Sequence, residues 1–297
     1  MSLFKNFLYF QAGLGVLANM FLLFFYTFII LGHRPKPTDL ISCQLTFTHI
    51  MMFLTGGNIW LTLTYLRHYM FELLNIENDF KCKATFYINR VMRGLSICIT
   101  CLLSVFQAVT ISPSASLMKF KHKLKKYIIH AFFYVWSFNL SISSNQFFSV
   151  GAYANLSETS QMKVTNYCSH FPMNNVIRGL ILTVTTFRDV FLVGVMLTTS
   201  AYMVVFLCRH QRQCQHLHSI RHLRASPEKK AAQIILLLMV FFVVMYWVDF
   251  FISSTSVLLW RYDPVILTVQ KFVMNAYPTI TPLVQISSDD RIINVHK

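Results

Sequence analysis

Charge is scarce in this chain: only 12% of its 297 residues are Asp, Glu, Lys or Arg, about half the usual share of a soluble domain. A chain so poor in charge cannot solvate its own surface in water. Acid is scarcer still, with 11 Asp and Glu against 26 Lys and Arg. The seven cysteines form neither a zinc pattern nor a dense disulfide framework, so at most one or two bridges are expected. No His-Glu-x-x-His, nucleophile elbow or P-loop is present, which removes the common hydrolase and nucleotide-binding readings. No internal repeat of the kind that transporters carry is found. Asp189 and Asp249 would have to share one proton in an intramembrane aspartyl protease. Neither has the flanking Gly-x-Gly-Asp or Tyr-Asp of such enzymes, and Arg188 stands beside one of them.

What is abundant is apolar: 55% of residues are hydrophobic, among them 28 Phe, 14 Met and 13 Tyr. A bilayer accepts such a surface, because every backbone polar group is satisfied within a helix. Stretches near the ~20 residues needed to cross the hydrocarbon core recur at Phe7 to Leu31, Leu40 to Leu66, Ala84 to Ile111, Tyr127 to Gly151, Ile177 to Leu207, Gln233 to Leu259 and Val265 to Ile286. The expected architecture is an all-α membrane protein, a single seven-helix domain over residues 1–297 with a short tail at 287–297. The first stretch runs 25 residues without a charge, longer than the ~7 to 15 of a secretory signal core, and reads as a span.

Lys and Arg accumulate in cytoplasmic connections. One set of connections holds 15 of the 26 basic residues, including Lys119, Lys121, Lys123, Lys125 and Lys126 and the run from Arg209 to Lys230, while the opposite set holds 7. The N-terminus is therefore expected outside and the C-terminus inside. The net charge of +15 then reports topology, and a nucleic-acid partner is not expected.

Two features fit this orientation. Asn155-Leu156-Ser157 is a glycosylation acceptor in the longest outside loop. A second such triplet, Asn139-Leu140-Ser141, falls within the fourth span and shows how readily the motif arises by chance. Cys82 at the head of the third span and Cys168 before the fifth share the oxidising side, and a bridge between them is expected. Cys43, Cys98 and Cys101 read as small buried hydrophobes.

Seven spans, an outside N-terminus and that cysteine pair form the frame of G-protein-coupled receptors. The signatures of the largest group are missing: Phe106-Gln107-Ala108 stands where an acidic-Arg-aromatic triplet would end the third span, and no Trp-x-Pro or Asn-Pro-x-x-Tyr follows. The chain instead carries RVMRGLSICITCLLSVFQAVTISP (Arg90 to Pro113), FRDVFLVGVM (Phe187 to Met196), SPEKKAAQIILLL (Ser226 to Leu238), YWVDF (Tyr246 to Phe250), LLWRYDPV (Leu258 to Val265) and PLVQISSDDRI (Pro282 to Ile292). These ordered blocks closely resemble vomeronasal type 1 receptors over essentially the whole length. Departures are small: Ala18 stands where a glycine would usually precede Asn19, and the tail ends early at Lys297. The resemblance implies a plasma-membrane pheromone receptor that takes small-molecule chemosignals from outside and activates a heterotrimeric G protein, with no cofactor and no metal. A bitter-taste receptor shares the frame, but PLVQISSDDRI does not look like its seventh-span ending.

Ionisable groups within spans are costly and mark functional sites by default. Arg90, Arg93, Arg188, Asp189, Asp249 and Lys271 qualify, and Asn89 beside Arg90 is placed with them as a candidate ligand contact. For Arg188 and Asp189, structural pairing competes evenly with ligand contact. As neighbours on one helix they point about 100° apart, so each is expected to find its partner on another helix. The four cations and two acids leave two surplus positive charges, which predicts a cavity favouring anionic or electron-rich ligands. Arg93, on the face of Arg90 and deeper, is the residue expected to bind them. Asn19 and His49 are expected to hydrogen-bond between helices. The His- and Cys-rich segment from Cys208 to His222 fits no zinc pattern and reads as a basic loop near anionic lipid. Gln107, Lys123, Lys125, Lys126 and Lys230 are expected on the surface that meets the G protein.

Overall fold

The computed structural model describes residues 2–32, 36–56, 77–111, 115–152, 162–163, 168–170, 174–217, 240–252, 255, 264–289 and 291–292. Nearly all of them are helical: α1 (Ser2–Gly32), α2 (Pro37–Thr55), α3 (Glu77–Ile111), α4 (Ala115–Ser143), the single turn α5 (Gln146–Ser149), α6 (Asn175–Leu217), α7 (Val240–Ile252) and α8 (Pro264–Ser288). Three helical stretches among the described residues are long and apolar enough to cross a membrane, Asn6–Gly32, Cys82–Thr110 and Asn175–Phe206, and Val240–Ile252 is apolar but shorter.

α3 is the interior helix. Of its apolar window 78% is buried, against 28% for α1 and 17% for α6, so those two helices turn most of their apolar surface outward, as a lipid solvent permits. One face of α3 carries Val91, Leu95, Ile99 and Leu103, four residues apart, and packs on Ile41 and Leu45 of α2 and Ile128 of α4. A second face, Ile97, Cys98 and Cys101, meets Val193 and Met196 of α6, Phe242 of α7 and Tyr277 of α8. A third cluster joins Leu22 and Tyr26 of α1 to Ile292 beyond α8. Cys98 and Cys101 are free and buried, as small apolar side chains are.

Local chemistry sets the helix ends. α2 opens with Pro37, whose missing N–H is no loss in a first turn, and the Asp39 carboxylate accepts the Lys36 backbone N–H at 3.0 Å. α4 stops at Ser143, short of the expected Gly151. The serine run competes for the backbone: the Ser141 hydroxyl donates to Ser137 O at 2.8 Å and that of Ser144 to Ser141 O at 2.7 Å. The chain then passes through α5 into a small sheet, an addition to an otherwise helical fold. β1 (Val150–Ala152), β2 (Met162–Lys163) and β3 (Cys168–His170) form an antiparallel sheet in the order β1-β3-β2, with Ala152 opposite Cys168.

Candidate functional site

Arg90 and Arg93 stand three residues apart on one face of α3. Arg93 Nη2 donates to Asp249 Oδ2 of α7 in a direct ion pair. Gln270 Nε2 of α8 donates to the other oxygen, Asp249 Oδ1, at 3.2 Å. Three helices are thus clasped at one carboxylate, whose side chain is only 7% exposed. A charge this deep is tolerated because both its oxygens are engaged.

The second acid is held differently from expectation. Arg188 and Asp189 pair with each other, Nε to Oδ1 at 2.7 Å. The 100° divergence of adjacent Cβ atoms is overcome by the length of the arginine, which folds back along its own helix. Arg188 also reaches across as expected, its Nη1 donating to Asn139 Oδ1 of α4 at 2.9 Å, and Asp189 and Tyr246 of α7 line one small cavity. Asn139 in turn donates to Val135 O at 2.8 Å and contacts Cys98 Sγ at 3.6 Å.

A cavity of about 40 Å³ lies against the clasp. Arg93 and Asp249 line it together with Met52 of α2, Ser96 of α3, Phe242 and Met245 of α7, and Met274 of α8. It has room for only a few water-sized molecules, well below the ~300 Å³ at which ligand sites begin, so a ligand enters only if α3, α7 and α8 part. Beyond it the polar contacts continue: Ser96 Oγ and His49 Nε2 share a hydrogen bond at 3.4 Å, and Thr100 Oγ1 and the Tyr277 hydroxyl another at 3.2 Å. The His49 ring meets Tyr277 edge-on at 5.4 Å. Asn19 Nδ2 donates to Pro278 O at 2.9 Å, so Asn19 and His49 join helices as expected.

A cavity walled by methionines and aromatics, closed by an ion pair, fits many membrane proteins. Comparison with known proteins decides between them. The model of the "Vomeronasal organ pheromone receptor family" matches residues 2–297. The chain belongs to this vomeronasal receptor family. "Vomeronasal type-1 receptor 90" of Rattus norvegicus is 38% identical over 285 residues, covering 95% of this chain and 89% of its own. "Vomeronasal type-1 receptor 100" of the same species is 37% identical, covering 99% and 88%, and "Vomeronasal type-1 receptor 45" of Mus musculus is 36% identical, covering 98% and 90%. This vomeronasal-family chain is accordingly a membrane chemoreceptor of the G-protein-coupled receptor type, and the resemblance read from the blocks above holds over its full length.

The structure of this vomeronasal-family chain brings together Arg93 and Asp249, and separately Arg188 and Asp189. Asn89 turns aside from them, its Nδ2 donating to Thr55 Oγ1 of α2 at 3.1 Å. Lys271 is partly buried on α8. Gln107 lies near the Ile111 end of α3, its buried Oε1 without a hydrogen-bond partner among the described residues. The side chains of Lys123, Lys125, Lys126 and Cys168, and the whole of Asn155 and Lys230, lie outside the described residues. Sequence reasoning missed Asn139 and Gln270. Asn139 is fully buried and holds Arg188, yet in the sequence it stands out only through a chance sequon. A polar amide in an apolar stretch is the better signal, since such a group must find a partner.

Proposed function

We propose that this vomeronasal-family chain is a seven-span plasma-membrane receptor, N-terminus outside, that binds small organic chemosignals in the cavity beside the Arg93–Asp249 clasp and activates a heterotrimeric G protein. The observation that carries this reading is the clasp itself, an ion pair joining α3 to α7 and, through Gln270, to α8 at the wall of an apolar cavity. A ligand that engages Arg93 or wedges between Met52 and Met274 needs the helices to separate. It therefore binds the parted state better than the closed one, which is the condition for shifting a two-state bundle. The names of the relatives, vomeronasal type-1 receptors of rat and mouse, support pheromone-type ligands.

The remaining assignments follow the same orientation. The charge bias of the connections supports an inside placement for the basic segments around Lys119 to Lys126 and Arg209 to Lys230. With Gln107 they form the proposed G-protein surface, where they also meet anionic lipid. Cys82, buried and disulfide-bonded in the second turn of α3, supports a bridge to Cys168 of β3 on the outer side. The charge bias of the connections supports the same side for Asn155, the proposed glycan acceptor.

The test is a panel of small volatile and steroidal compounds on cells expressing the chain with a promiscuous G protein. Saturable responses are expected, and Lys123→Glu, Lys125→Glu and Lys126→Glu together should reduce them at least tenfold while ligand binding persists. Full signalling from the triple variant at equal surface level counts against the proposed surface.

A further inference from the structure

The acids of the site are already spoken for. Arg93 meets Asp249, and Arg188 meets Asp189. Arg90 and Lys271, the other two cations among the six candidate groups, make no hydrogen bond or ion pair among the described residues. The surplus positive charge therefore sits at Arg90 and Lys271, and the unpaired cation expected at Arg93 is not there.

Arg90 is the more informative of the two. It is partly buried. Arg93 stands one turn on along the same face of α3, and Arg188 Nη1 of α6 lies 2.8 Å from where a Cβ at Gly94 would stand, one turn of α3 from Arg90. The ionised groups acting on Arg90 are these two guanidiniums and Asp189, and that acid already accepts from Arg188. Three arginines on α3 and α6 thus converge with two carboxylates, a local surplus of one positive charge. Uncompensated charge in such surroundings is expensive, and a guanidinium offers a planar, two-pronged donor that suits small oxyanions and halide.

We infer that Arg90, framed by Arg93 and Arg188 between α3, α6 and α7, is the centre of a monoanion site. Its occupant is either bulk chloride or the acid group of an organic ligand with an apolar body. The organic arm rests on the receptor reading, whereas the chloride arm is independent of it.

The test uses the full chain purified in detergent, with the thermal unfolding midpoint as readout, so that it does not depend on signalling. The midpoint is compared in sodium chloride and sodium gluconate at equal ionic strength, and with benzoate against its neutral methyl ester. A ligand bound only by the folded state raises the midpoint. In the wild type a rise of several degrees in chloride over gluconate marks the bulk ion as occupant, and a rise with benzoate but not methyl benzoate marks the organic acid. Either supports the site. Arg90→Gln should lose the rise, Arg90→Lys should keep part of it, and Lys271→Gln should keep all of it. An Arg90→Gln variant that retains the full anion effect, or a Lys271→Gln variant that alone abolishes it, overturns the assignment. Should Arg90→Gln fail to fold, the wild type still decides, because a midpoint indifferent to both anions overturns the proposal.

Discussion

A methyl group added at Gly94 would meet the Asn139 carboxamide oxygen and, at 2.8 Å, Arg188 Nη1. The glycine leaves room beside α3 for the Arg188 guanidinium of α6 to reach Asn139 of α4. Gly94→Ala should therefore lower stability by ~1 to 3 kcal/mol, the usual cost of overpacking. Gly179→Ala, where nothing lies within 4 Å, should leave the thermal midpoint unchanged or slightly raised. Equal midpoints for the two variants would show that the Asn139–Arg188 contact gives way freely. At this scale the sequence was partly legible. That six ionisable side chains in apolar stretches must be compensated follows from their cost in a membrane. Who compensates whom does not, because Arg93 and Asp249 are 156 residues apart and because Arg188 is long enough to turn back on its own neighbour.

Helices in this protein are tied together through the groups that their own sequences leave unsatisfied. Pro282 has no N–H, so the carbonyl four residues earlier, at Pro278, loses its helical donor, and Asn19 Nδ2 of α1 supplies one at 2.9 Å. Asn19→Leu should cost ~1 kcal/mol, as interhelical hydrogen bonds in membranes do. In a Pro282→Ala background, where the carbonyl regains its own partner, the cost should shrink. Unfolding midpoints of the four-member cycle check this, and strict additivity would contradict the coupling. A second tie joins the start of α2 to the turn after α8. Arg291 Nη2 donates to Asp39 Oδ1 at 2.8 Å and Nη1 to Asp39 Oδ2 at 3.2 Å, while Asp289 accepts at 2.9 and 3.1 Å. The hydrogen bonds to Asp39 first, and to Asp289 second, raise the Arg291 guanidinium above its ordinary value. A raised folded-state value contributes stability in full below the ordinary arginine range and loses it only as the pH climbs past that range. The midpoint difference between wild type and Arg291→Gln should accordingly stay constant from about pH 7 to about pH 10, and a difference that shrinks across this interval would refute the tie. The helices over Asn6–Gly32, Cys82–Thr110 and Asn175–Phe206 were legible from apolar run length, and the serine-rich end of α4 was not, because serine is neutral in hydropathy yet competes for backbone carbonyls.

Across the whole molecule, α3 is the hub: its buried faces enter two of the three apolar clusters, and its polar face carries both Arg90 and Arg93. Run length and the ordered sequence blocks made the class and family legible. The small sheet was not, since its strands of two and three residues leave no periodic signal. If ligands act through the cavity beside the Arg93–Asp249 clasp, filling that cavity must weaken them. Met274 lines that cavity, and Met274→Trp fills it without touching a charge. The most direct measurement is agonist-driven guanine-nucleotide exchange on a heterotrimeric G protein, comparing wild type with Met274→Trp at matched surface expression. Agonist potency should fall at least tenfold in the variant with basal exchange retained; unchanged potency for every agonist would place the ligand elsewhere.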